Sequence, residues 1–250
     1  MDLQLKGKTA LVTGASAGIG RAIAKGLAAE GVKLCVAARR RELLEQLAQE
    51  ITVAGGPPPH TSVVDMVERN APQELARTAL QSLGHVDILV NCAGGSRRVP
   101  YDAPEEQWIE AMTLSFMSRR QLTQALLPGM IAQKWGRIIN ITGPSEPAHL
   151  SAGNPAKAGL HAWAKGLSRE IGKYGITINS IPPGKILSEQ SRLKYSAQDR
   201  EELSKREIPV GRFGEPEELA CLAVFLASPV ASYITGTVIP VDGGLRRYAF

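Results

Sequence analysis

The stretch "TALVTGASAGIGRAIAKGLAAEG", residues 9–31, decides the fold. "TALVTG" (9–14) is a short apolar, β-branched run closed by glycine, and "IGRAIAKGLAAEG" (19–31) carries apolar residues at helical spacing until Gly31 stops it. The whole reads as strand, turn, helix. In the turn, Gly14, Gly18 and Gly20 withhold side chains where the backbone would have to approach a pyrophosphate, and the first amides of the following helix would face that anion. Together with Ser16 and Ile19 they form a candidate phosphate cradle.

The same alternation repeats downstream. "KLCVAAR" (33–39) reads as a strand and "RELLEQLAQEITVAG" (41–55) as a helix, which the prolines of "GGPPPH" terminate. Strand "TSVVD", helix "APQELARTALQSLG", strand "VDILVNCAG", a long helix over about 105–134, strand "GRIINIT", helix "NPAKAGLHAWAKGLSREIGKYG" and strand "ITINSIPPG" follow in order. Helix "EPEELACLAVFLAS" and a last strand, "GTVIPVDGG", complete the pattern. Strands alternating with helices of this length imply parallel pairing through right-handed crossovers. The expected fold is α/β, a Rossmann-like doubly wound parallel sheet with helices on both faces. With no linker, repeat or low-complexity tract, residues 1–250 are expected to form a single domain, and the charge-rich segment 185–211 a mobile lid over the substrate.

Composition narrows the function classes. At 44% hydrophobic the chain can bury a full core, yet it holds no apolar run of membrane-spanning length, and "MDLQLKGKTALVTG" lacks the regions of a signal peptide. The expectation is a cytoplasmic protein with no membrane partner. The net charge is +5, but the arginine pairs Arg97–Arg98, Arg119–Arg120 and Arg246–Arg247 lack interleaved aromatics, so no nucleic-acid partner is expected. Cys35, Cys92 and Cys221 stand far apart without a histidine cluster and read as small core residues; no metal site is expected.

The end of the second strand chooses the cofactor. An acid there would bond a ribose 2′-hydroxyl and repel a 2′-phosphate, whereas this chain places Arg39, Arg40 and Arg41 after Ala38. That favours NADP(H), with NAD(H) second. Asp65, followed by Met66, ends the third strand and is placed to accept from an adenine amino group or to cap the next helix. "NCAG" ends the fourth strand beside the same crevice and adds Asn91, Ala93 and Gly94.

These motifs occur in one order with "GRIINI", "AKAGL", "ITINSIPPGKI", "PVGRFGEPEELA" and "SYITGTVIPVDGG", and over residues 8–244 the chain resembles the short-chain dehydrogenase/reductase family, in particular its β-ketoacyl-carrier-protein reductases. The resemblance implies a nicotinamide cofactor, a homotetramer or homodimer, and a nicotinamide end lined by Pro183, Gly184 and Ile186. It also implies a tyrosine as proton donor, a serine sharing the substrate oxygen, a lysine lowering the tyrosine pKa while holding the ribose, and an asparagine in a water relay. Lys157 matches the lysine. Gly153 stands four residues before it where the tyrosine belongs, Thr142 and Gly143 fall at the serine region and Ser115 at the asparagine.

Cofactor binding is expected to survive this departure, because a lysine needs no tyrosine to bond ribose hydroxyls. The proton must come from elsewhere if reduction occurs. "TGPSEPAHLSAGN" (142–154) offers Ser145 for the serine's part, and Glu146, His149 or Ser151 near the substrate oxygen. Of these, His149 has the ordinary pKa best suited to neutral pH. Lys157 itself is a further acid if burial or nearby charge lowers its pKa. His161, one helical turn on, reads as a packing residue. Arg97, Arg98, Lys185, Arg192 and Lys194 fall on loops expected at the substrate mouth and suit an anionic carbonyl or alcohol substrate. The leading expectation is an NADP(H)-dependent oxidoreductase with an atypical acid–base group; a non-catalytic NADP-binding sensor or partner subunit, and a cofactor-assisted dehydratase or isomerase, are the alternatives.

Overall fold

The computed structural model describes residues 1–95, 98–143, 146–147 and 149–248, the side chain of Gln190 excepted. Strands β1 (Thr9–Thr13), β2 (Lys33–Ala38), β3 (His60–Val63), β4 (Ile88–Asn91), β5 (Gly136–Ile141) and β6 (Ile176–Ile181) form one sheet in the order β3-β2-β1-β4-β5-β6. Every pairing is parallel. The chain winds outward from β1 to β3, then jumps back to lay β4 against the other side of β1. The two halves diverge there, leaving a crevice beyond the carboxyl ends of β1 and β4, where open α/β sheets bind ligands.

Alternation along the strands builds the core on both faces, since successive side chains point to opposite sides. Val12 of β1 packs with Leu27 and Leu219 against α1 (Gly18–Ala29), α2 (Arg41–Val53) and α9 (Pro216–Leu226). Its neighbour Leu11 packs with Leu75 and Leu122 against α3 (Ala71–Leu83), α5 (Ser118–Gln133) and α6 (Gly153–Ile171).

Three segments differ from expectation, each for a local reason. The long helix expected over 105–134 is α4 (Glu105–Met112) and α5 joined by a π-helical turn at Thr113–Met117. The last strand runs parallel beside β6 only as isolated bridges, Ser180 with Val238 and Pro183 with Val241. Pro182, Pro183 and Pro240 lack the N–H groups that a continuous ladder requires. Segment 185–211 carries two helices, α7 (Glu189–Lys194) and α8 (Ala197–Glu207). A capping box starts each: the Ser188 hydroxyl accepts from Ser191 N, and the Ser196 hydroxyl from Asp199 N.

Among the cysteines only Cys35 is a core residue. Cys92 follows β4 into the crevice, and Cys221 is exposed because it falls on the outer face of α9. Among the described residues, no helix is long and apolar enough to cross a membrane, and no histidine, cysteine and carboxylate groups gather as a metal site.

Candidate active site

The crevice begins with the turn between β1 and α1. Gly14 and Gly18 have φ of +69° and +53°, a conformation that side chains oppose. A Cβ on Gly14 would also stand 2.8 Å from Ala93 N, and one on Gly20 would overlap the Gly14 carbonyl. The turn therefore lies directly on the backbone that follows β4. Thr13 fixes this contact, its hydroxyl accepting from Cys92 N at 3.0 Å and Ala93 N at 3.1 Å. At the start of α1, Ala17 supplies no side-chain cap and the first turn holds no acid, so the leading amides remain available to an anion. A dinucleotide pyrophosphate fits this cradle.

From the turn opens a cleft of about 600 Å³. Its β2–β3 side is bordered by Ser16, Ile19, Ala38, Arg39, Arg40, Asp65 and Met66. The acids here are engaged: Asp65 accepts from Val67 N at 3.2 Å and lies 3.7 Å from Arg39, while Glu189 of α7 accepts from Arg40 through both oxygens at 2.8 and 3.0 Å. Arg40 thus ties the edge of the cleft to the 185–211 segment. Ala93 and Gly94 line the middle. Asn91 does not, because its amide is buried within the sheet and donates to Asn140 Oδ1 at 3.0 Å and Thr123 Oγ1 at 3.3 Å.

Pro183, Gly184, Ile186 and Lys157 line the far end. A Cβ on Gly184 would approach Asp242 Cα to 2.5 Å, so the loop after β6 sits tightly against the C-terminal segment. Lys157 is 8% exposed and, among the described residues, no acceptor takes a hydrogen bond from its ammonium. Its stem lies over Gly143, where a Cβ would stand 2.8 Å from Cδ and 3.5 Å from Nζ. Burial, followed by the positive charge of Arg119, lowers its pKa from 10.5 to about 8.

Other candidates lie beside this end. Ser115 is buried in the π-helical turn and borders Gly153 rather than the cleft; a Cβ on Gly153 would come 3.9 Å from Ser115 Oγ and 3.2 Å from Gly95 O. His149 does not line the cleft, and burial with the charges of Arg98, Lys194 and Lys185 pushes its pKa down. His161 bonds Thr142 Oγ1 at 2.7 Å and ties α6 to β5. Ser145 and Arg97 lie outside the described residues.

The sequence reading missed Arg119. It is 3% exposed, donates to Ile141 O at 2.6 Å and Ala93 O at 2.8 Å, and lines the cleft at the carboxyl ends of β5 and β4. The available signal was its register: Arg119, Leu122, Leu126 and Met130 share the buried face of α5.

Residues 14–246 match the protein family described as enoyl-(acyl carrier protein) reductase. The chain is 38% identical to the 3-oxoacyl-(acyl-carrier-protein) reductase FabG of Pseudomonas aeruginosa, over 97% of this chain and 99% of that one. It is 34% identical to FabG of Aquifex aeolicus, over 98% and 100%. The L-sorbose reductase of Gluconobacter frateurii, solved with NADPH and L-sorbose, superposes with a TM-score of 0.93 at 32% identity, covering 99% of this chain and 100% of that one.

Proposed function

The chain belongs to the short-chain dehydrogenase/reductase family of oxidoreductases, and from that premise we propose that it transfers hydride between NADP(H) and a small carbonyl or hydroxyl compound with Lys157 as the proton-exchanging group. The tyrosine that the family resemblance implies is replaced by Gly153, and Thr142 and Gly143 stand at the serine region. One observation carries the reading: Lys157 extends across the space that a Cβ on Gly143 would fill, buried, with no hydrogen-bond acceptor among the described residues and with a pKa of about 8. An ammonium so placed is a competent acid near neutral pH.

When bound, the nicotinamide supplies or accepts the hydride. The protein's part is to position and to move the proton. Gly14, Gly18 and Gly20 admit the pyrophosphate to the α1 amides, and Arg39 and Arg40 suit a 2′-phosphate. Pro183, Gly184 and Ile186 border the ring end. As the carbonyl π bond breaks, its oxygen takes a proton from the Lys157 ammonium, which regains one from water; in oxidation the neutral amine accepts the alcohol proton. The L-sorbose reductase, solved with NADPH, supports the choice of cofactor. By the same family likeness, the working form is a cytoplasmic homotetramer or homodimer.

The experiment is NADPH consumption against ketones, 2-oxo acids and 3-oxoacyl thioesters, with NADH in parallel and Lys157→Ala as control. Turnover that prefers NADPH and is lost in the variant supports the reading. Tight NADPH binding without turnover in either direction overturns it in favour of a non-catalytic binding protein.

A further inference from the structure

We propose that Arg119 and Lys157 form a seat for a carboxylate of the substrate, so that the compounds this site takes are 2-oxo acids and their 2-hydroxy partners. The inference rests on the proposed hydride-transfer function and names its substrate class.

The starting point is a charge imbalance. Arg119 approaches β5 at Ile141 O, and Lys157 lies over Gly143, two residues along the same chain end. Both side chains line the cleft and both are buried. Among the described residues neither forms an ion pair. The Cys92 thiol beside them does not compensate, since burial pushes its pKa up to about 11 and keeps it neutral. Buried charges are ordinarily paired, and two cations without a counterion are costly to hold.

Arg119 is also prepared to bind. A guanidinium has five N–H donors in a rigid fork, and here two bonds, to Ala93 O and Ile141 O, hold it across the ends of β4 and β5. Among the described residues Nε has no partner although it is buried. Gly94 makes room: a Cβ there would stand 2.6 Å from the Arg119 terminal nitrogen. A carboxylate held by this fork would bring an adjacent carbonyl oxygen to Lys157, the arrangement a 2-oxo acid possesses. A transient oxyanion alone would leave the two cations uncompensated in the resting complex, which favours an anion present from the start.

The test uses oxalate and its neutral counterpart oxamide, titrated calorimetrically into full-length protein saturated with NADP⁺. Oxalate is expected to bind at least tenfold more tightly than oxamide. Arg119→Gln should remove at least tenfold of the oxalate affinity while changing NADP⁺ affinity less than twofold, and Arg119→Lys should fall between. Equal binding of oxalate and oxamide by the unaltered protein overturns the proposal and needs no variant. So does a folded Arg119→Gln protein that binds oxalate as before, or one that loses NADP⁺ instead. In turnover, Arg119→Lys should raise KM for a 2-oxo acid more than for its methyl ester; equal effects count against the seat. Selective oxalate binding without NADPH oxidation would preserve the seat and sink the reductase reading, and NADPH oxidation with neutral ketones without oxalate binding would do the reverse.

Discussion

Lys157 occupies the space that the missing side chain at Gly143 leaves open: a Cβ on Gly143 would meet Lys157 Cδ at 2.8 Å. Gly143 thereby lets the lysine stem cross the end of β5.

Gly143→Ser is accordingly expected to damage the site rather than repair it. Overpacking of this kind costs about 1–3 kcal/mol. Thermal unfolding should show a loss of a few degrees, and the rate of substrate reduction should fall at least tenfold as the ammonium is displaced. A gain in kcat would contradict the account.

The lowered pKa of Lys157 also predicts how stability follows pH. Unfolded, the side chain returns to 10.5, so between about 8 and 10.5 the unfolded chain binds the extra proton. In that window the contribution of Lys157 makes stability rise with pH; below about 8 both states are protonated and its slope vanishes. Chemical denaturation at pH 7 and pH 9.5 should show Lys157→Met more stable than the parent at the lower pH, with the difference shrinking at the higher.

Arg40 is held by Glu189, an exposed pair of a kind worth roughly 0.2–1 kcal/mol. A 2′-phosphate must compete with that carboxylate. Glu189→Gln should tighten NADP⁺ by about two- to fivefold and leave NAD⁺ nearly unchanged, whereas Arg40→Ala should weaken NADP⁺ alone. Fluorescence titration with both cofactors measures this, and an equal effect on the two would remove Arg40 from the 2′-phosphate.

Gly20→Ala should cost both cofactor binding and stability, because the new methyl would overlap the Gly14 carbonyl inside the cradle. Calorimetric titration with NADP⁺ and a thermal melt decide it. Normal binding would mean that the turn is not the pyrophosphate site.

The sheet was legible because its signals are local and repeated: apolar runs such as "TALVT" end in glycine, and helical spacing follows. The glycine turn was legible for the same reason, its glycines falling between a strand and a helix. What sequence spacing concealed depends on distant partners. Nothing local marks the π-helical turn at Thr113–Met117, the Arg40–Glu189 pair spans 149 positions, and Arg119 matters because two strand ends 22 and 26 residues away supply its acceptors. The last strand was half legible, its β-branched residues visible but the cost of Pro240 and the Pro182–Pro183 pair underweighted.

The most direct test of Lys157 as the proton donor is the pH dependence of kcat/KM for the carbonyl substrate in reduction by NADPH, measured for the unaltered protein and for Lys157→Arg. A Lys157 pKa of about 8 predicts a plateau below that pH and a fall approaching tenfold per pH unit above it. Arg119 and the Cys92 thiol titrate higher, at about 10 and about 11, so neither changes charge around pH 8. The arginine variant, unable to give up its proton, should lose at least a hundredfold in rate and the inflection with it. A profile flat to pH 10, or an inflection that survives in Lys157→Arg, would contradict the account and place the proton donor elsewhere.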